Sequence, residues 1–194
     1  MHKPFAILLP VFLQVLHAQP NFLDSLRHVL TTPPGVQLEF EIQQIMQGDA
    51  WSANGTIEII SADKYLAEIG DQQIKVEGTF VQTWNKASSQ LIKDTLYQGN
   101  VNIVSLLNQH ADNLKILNQH SAKGEIKISF SVPDMDATGS IQMHKTTFHP
   151  QKVILFNGPE AKTEMNVFKV NRISKPSKFD SFAPIVKDVI DLRE

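Results

Sequence analysis

The sequence predicts a mainly β member of the α+β class: one strongly curved antiparallel sheet of about ten strands, with helices across its concave side. Three observations lead there. Most of the chain from Val36 onward alternates apolar and polar residues with period two, so each strand has a single greasy face. Short Gly- or Asp-containing turns separate these strands, as in an antiparallel meander with one wet and one covered side. A non-alternating apolar stretch, VNIVSLLNQHADNLKILNQH at 101–120, interrupts the meander and suits a cover.

Residues 1–18 have a separate logic. His2 and Lys3 precede the apolar run Phe5 to Leu16, broken by Pro10, and Ala18 is a small residue suited to cleavage. The expectation is an export signal at 1–18 and a single domain at 19–194, an exported mature protein whose periplasmic location is what the family resemblance given below implies. The chain has no cysteine, so neither disulfides nor a lipid anchor at the signal junction is expected. A net charge of −2 with no Lys/Arg-rich block gives no footprint for a phosphate backbone, so nucleic acid is not an expected partner.

Phe22, Leu23, Leu26, Val29 and Leu30 fall at helical spacing, and Thr31-Thr32-Pro33-Pro34 stops that helix. Val36, Leu38, Phe40, Ile42 and Met46 then share one strand face, with Gln37, Glu39, Glu41 and Gln43 on the other. After Gly48-Asp49, Trp51, Ala53, Ile57 and Ile59 form the apolar face of the return strand. Tyr65, Ala67 and Ile69 follow, then Ile74 and Val76, and past Glu77-Gly78 the aromatics Phe80 and Trp84 are expected on the covered side. Within 101–120, Val101, Val104, Leu107, Leu114 and Leu117 predict one or two helices, with Asn-Gln-His at both 108–110 and 118–120. Strands resume with Ile126, Ile128, Phe130 and Val132, then around Ile141, Val153 to Phe156 and Met165 to Val170. The tail from Lys178 closes as a short extended segment.

Catalytic chemistry finds little footing. Ser61 and Lys64 match S-x-x-K, but between strands rather than on a helical turn, and no partner motifs accompany them. His144 and His149 flank a turn, His110 and His120 sit on the expected cover, and Asp134 and Asp136 follow Pro133; surface or turn roles account for these better than a metal site. The expectation is a non-enzyme without cofactor or metal.

The order of these features resembles the LolA family of periplasmic lipoprotein carriers. Gly55-Thr56-Ile57-Glu58-Ile59 followed by Lys64-Tyr65 echoes one family pattern; Val76-Glu77-Gly78, Phe80, Trp84-Asn85 and Gln90-Leu91 echo the next. Gly99-Asn100 with Leu106 and Leu107 looks like the start of the lid helix, and 188–193 like the closing segment. The family's Arg-Pro pair would fall at Ser61-Ala62, so a latch built on that arginine is not expected, and Gln82 stands where many members have tryptophan. The resemblance implies an incomplete β-barrel with a helical lid. It also implies a monomer that binds acylated lipoproteins, receives them from an inner-membrane lipoprotein-releasing transporter and delivers them to an outer-membrane acceptor, touching membranes only transiently. On this reading Phe40, Ile57, Ile59, Tyr65, Phe80 and Trp84 line an acyl-chain cavity, and Val104, Leu106 and Leu107 belong to the lid. General binding of phospholipid or another hydrophobic ligand is the alternative.

Overall fold

The computed structural model describes residues 21–96, 103–107, 114–173 and 177–193. The expected export signal at 1–18, Gly99-Asn100, Val101 and the first Asn-Gln-His at 108–110 lie outside them. The elements run α1 (Phe22–Thr31), β1 (Val36–Met46), β2 (Asp49–Ser61), β3 (Lys64–Ile69), β4 (Gln72–Glu77), β5 (Phe80–Asn85), β6 (Gln90–Thr95), α2 (Ile103–Leu107), β7 (Lys115–Ala122), β8 (Glu125–Val132), a single 3-10 turn at Pro133–Met135, β9 (Ala137–His144), β10 (Pro150–Asn157), β11 (Ala161–Arg172) and β12 (Asp188–Asp191).

All twelve strands belong to one strongly curved, unclosed sheet, in the order β12-β6-β5-β4-β3-β2-β1-β11-β10-β9-β8-β7. The chain starts at the centre, meanders outward through β1 to β6, passes to the far edge by way of α2, and meanders back through β7 to β11, which pairs with β1. Two short-range meanders thus make one long sheet, and only the β1–β11 pairing is non-local among the antiparallel contacts. The last strand, β12, joins β6 in parallel and so requires a second crossover.

Pair registers identify the covered face. One row runs Val36, Ile59, Tyr65, Val76, Val81, and the next Leu38, Ile57, Ala67, Ile74, Thr83. On the other half Ile126, Ile128, Ile141, Met143 and Val153 are fully buried. Into this trough α1 puts Leu23, Leu26 and Leu30, at i, i+3 and i+7, while Asp24 in its first turn and His28 in its last suit the helix dipole. The helix ends as Thr32 turns extended before Pro33, and the Thr31 and Thr32 hydroxyls donate back to the Arg27 and His28 carbonyls.

Curvature has a local cause in two cross-strand pairs. Phe40 sits opposite Gly55, and Phe130 opposite Gly139, with both rings fully buried. A Cβ on Gly55 would fall 2.7 Å from the Phe40 ring, and one on Gly139 would fall 2.6 Å from the Phe130 ring and 2.2 Å from the Ile154 carbonyl oxygen. Each glycine removes the side chain that would hold the strands apart, and each phenylalanine lies over the gap, which lets the sheet bend. Beside the first pair the β1–β11 register shifts between Glu39 and Phe40, a bulge that adds twist at the same place.

Three expectations need correction. Among the described residues the sheet has twelve strands, against about ten expected. The second half of the 101–120 stretch is not helical: Leu114 precedes strand β7, so Leu117 and His120 belong to the sheet edge and not to the cover. The hairpin turn decides this, because Lys123 (φ 49°) and Gly124 (φ 86°) form the positive-φ two-residue loop that matches strand twist and folds β7 onto β8. Trp51 and Met46 have the parity of the covered face but lie beyond its cover, 51% and 52% exposed.

The glycine pairs supply a test. Gly139→Ala should lower stability by about 1–3 kcal/mol, since its Cβ meets a backbone oxygen that cannot step aside. Urea unfolding midpoints measure this; an unchanged midpoint would show that the bend does not depend on the missing side chain.

Candidate functional site

The concave trough is the candidate site. Phe40, Ile57 and Ile59 are fully buried in it and Tyr65 nearly so, and they share one apolar cluster with Val104, Leu106 and Leu107 of α2. These are the lining and lid residues that the sequence singled out, and the fold brings these seven together. The cover is larger than expected, because α1 packs against α2, β2 and β8 and contributes three buried leucines. Helix α2 has five described residues, too few to hold their shape in water by themselves, and the burial of Val104, Leu106 and Leu107 helps to keep it in place. Among the described residues the site is therefore lined by aliphatic and aromatic side chains, with the phenol of Tyr65 among them. Such a surface suits contact with hydrocarbon.

Phe80 and Trp84 do not join it. Glu77 pairs with Phe80 and Val76 with Val81, so Val81 and Thr83 face the trough while Phe80, Gln82 and Trp84 face the opposite, convex side. Both aromatics are half-buried there, and Val81 packs on the concave cluster. Size suggested the aromatics; hairpin arithmetic would have found Val81, because a loop of only Gly78-Thr79 fixes which residue stands across from Val76.

The convex side is occupied by the tail. After β11 the chain crosses this face, where the Phe179 N–H donates to the buried Glu58 carboxylate at 3.2 Å and Lys178 forms an ion pair with Glu68. The Lys75 ammonium lies 4.2 Å from the centre of the Phe179 ring, and Arg193 stacks on Phe80 at 5.0 Å. Burial pushes the Glu68 carboxyl upward, but Lys178, Gln73 and Lys86 outweigh it and hold it at about 2. Next to this strap an open groove of about 530 Å³ is lined by Glu39, Thr56, Glu68, Lys86 and Phe168 among others. Its charges are already matched, Glu39 by Lys169 at 3.0 Å and Glu68 by Lys86 at 3.4 Å.

The residues weighed for catalysis have structural partners. The Ser61 hydroxyl donates to Asp63 at 2.7 Å, and Lys64 turns to Glu77 at 2.8 Å, a hydrogen bond that raises the Lys64 pKa and keeps it protonated. That lysine is no base for Ser61. The ring of His144 accepts the backbone N–H groups of Thr146 and Thr147, which closes the turn, while burial and then Arg172 hold His149 below its usual value. Among the described residues no three His, Cys, Asp or Glu side chains group as metal ligands.

No protein-family model matches the sequence, and no curated protein sequence does. Solved structures do match its shape. An uncharacterised conserved protein from Thermus thermophilus superposes with a TM-score of 0.56 at 10% identity, covering 88% of this chain and 96% of that one. A LolA superfamily protein from Nitrosomonas europaea gives 0.48 at 11% identity, over 83% and 97%. An outer-membrane lipoprotein-sorting protein domain from Vibrio parahaemolyticus gives 0.46 at 8% identity, over 81% and 94%. The first of these superpositions shows a shared fold, here a strongly curved, unclosed sheet with helices on its concave face, and at such an identity the likeness concerns fold alone.

The strap has a pH signature. Glu68 is about 2 in the folded chain against an ordinary 4.5, so its contribution to stability is complete above about 4.5 and is lost as pH falls through about 2. Glu164, held at about 2 by Lys152 and Lys162, behaves in the same way. Lys178→Met should flatten part of the fall in melting temperature between those two values and leave the Glu164 part; an identical acid limb would mean that the strap is not held by this pair.

Proposed function

We propose that the chain is a soluble periplasmic carrier that takes the acyl chains of lipoproteins into the concave trough and moves them from inner to outer membrane without catalysis. The observation that carries this is the cover itself: three apolar side chains of one short helical turn, buried on an apolar, curved sheet. Burying Val104, Leu106 and Leu107 is worth roughly 1.5–3 kcal/mol each. An acyl chain of about a dozen methylenes gains on the order of 10 kcal/mol at ~0.8 kcal/mol per CH₂. Exchanging one for the other is favourable but only modestly so, which suits a ligand that must later be released.

Loading in this reading comes from an inner-membrane lipoprotein-releasing transporter and unloading goes to an outer-membrane acceptor, with residues 1–18 removed on export. The lining is Phe40, Ile57, Ile59 and Tyr65, extended by Val81 in place of the outward-facing Phe80 and Trp84.

Native mass spectrometry of the protein as isolated, followed by titration with a triacylated peptide, tests the ligand class. Binding of the peptide supports the carrier; co-purified phospholipid with no affinity for the peptide replaces it by general phospholipid binding. The lid has its own test. Leu106→Ala and Leu107→Ala should each cost about 2–5 kcal/mol of stability, because both side chains are fully buried. In the same variants affinity for the acylated peptide should rise, since the competing lid contact is weaker; a fall in affinity would place these leucines in the binding surface rather than in the cover.

A further inference from the structure

We propose that the paired tips of the β1–β2 and β10–β11 hairpins form a wedge that inserts into the surface of a zwitterionic lipid bilayer. Four of the large exposed apolar side chains gather there: Ile45 at 43%, Met46 at 52%, Trp51 at 51% and Phe156 at 43%. The two tips are tied together, because the Gln47 N–H donates to the Glu160 carbonyl at 3.1 Å and the β1–β11 and β10–β11 registers align Ile45, Lys162 and Phe156 in one row. Tryptophan, phenylalanine and isoleucine exposed together at the end of a sheet are the composition of an interfacial anchor.

Shape and charge select the partner. Trp51 and Met46 lie on the concave side of their strands, in line with Ile42 and Ala53, while Ile45 and Phe156 lie on the convex side, in line with the ladder partners Ala50 and Lys162. An apolar set that wraps both faces of an edge cannot be covered by one flat protein surface, whereas a fluid interface surrounds it. Trp51 stands roughly 7 Å along β2 from the loop, within the depth of about 5–10 Å that interfacial segments reach. Exposed Asp49 and Glu160 border the wedge together with Lys162, a mixed set that suits a phosphocholine-like headgroup better than an anionic one. The wedge is also continuous with the trough: Trp51 pairs with Gln44, Gln44 with Thr163, and Thr163 with the buried Leu155.

The inference deepens the carrier reading, on which it rests for its purpose, by naming the surface and the lipid class. Flotation with phosphatidylcholine vesicles, with and without added phosphatidylglycerol, tests it. The chain has two tryptophans, so Trp84→Phe leaves Trp51 as the reporter. Trp51 emission should shift to the blue and be quenched by brominated acyl chains, and Trp51→Ser and Phe156→Ser should each lower vesicle partitioning roughly tenfold. Flotation of the unsubstituted chain reports the same event should Trp84→Phe fail to fold. Absence of flotation, flotation unchanged in both variants, flotation only with phosphatidylglycerol, or a dimer that the variants dissolve would each overturn the proposal. Binding of the triacylated peptide in the absence of vesicles separates the two claims. Peptide binding without flotation defeats the wedge and leaves the carrier; flotation without peptide binding does the reverse.

Discussion

The bend at Phe40–Gly55 and Phe130–Gly139 is the constraint on which the rest of the architecture depends. A sheet of twelve strands with one apolar face cannot stay flat in water, because no single short helix would cover it. Folding that face into a trough lets two small helices and the opposing strands cover one another. The two glycines sit on opposite sides of the β1–β11 seam, one in each meander, so both arms of the sheet turn inward toward α1 and α2. Each phenylalanine both fills the space above its glycine and adds a full aromatic side chain to the apolar floor.

Much of this was legible in the sequence because the meander is local. Alternation from Val36 to Val76 and from Ile126 to Val132 placed the trough residues on their correct face, and a two-residue shift in any of those strands would have preserved that parity. Errors arose where local pattern and pairing disagreed. Leu114 and Leu117 match helical spacing as well as they match a strand, and only the turn at Lys123-Gly124, which commits β7 to β8, separates the two. At Phe80 and Trp84 aromatic size points to the core, although the tail supplies the convex face with apolar and cationic cover of its own, Phe179 over Lys75 and Arg193 over Phe80. The tail's path was invisible because its anchors, Glu58 and Glu68, are charged residues that local reading assigns to solvent.

Two crossovers pass over the two faces of one sheet, and their chemistry differs in a way that bears on motion. The convex strap is held by directional contacts: Phe179 on Glu58, Lys178 on Glu68, the parallel β12–β6 ladder and the Arg193 stack. Displacing it would leave the buried Glu58 carboxylate without its donor, a cost of about 1–3 kcal/mol for that group alone. On the concave side, by contrast, the described helix α2 is buried through three aliphatic side chains. Apolar contact is non-directional, so a hydrocarbon of similar volume can replace the burial of those three side chains.

On the carrier reading proposed above, that asymmetry puts the moving part on the concave side. A cover that leaves must be replaced by something that restores the lost burial, and only an apolar ligand does so for Val104, Leu106 and Leu107. In that reading the strap, whose polar anchors no hydrocarbon can satisfy, stays in place and keeps β6 paired with the edge strand β12. On the same reading the buried lid side chains compete with a longer hydrocarbon for the apolar surface, and the difference between the two burials, rather than either one alone, sets how firmly the ligand is held.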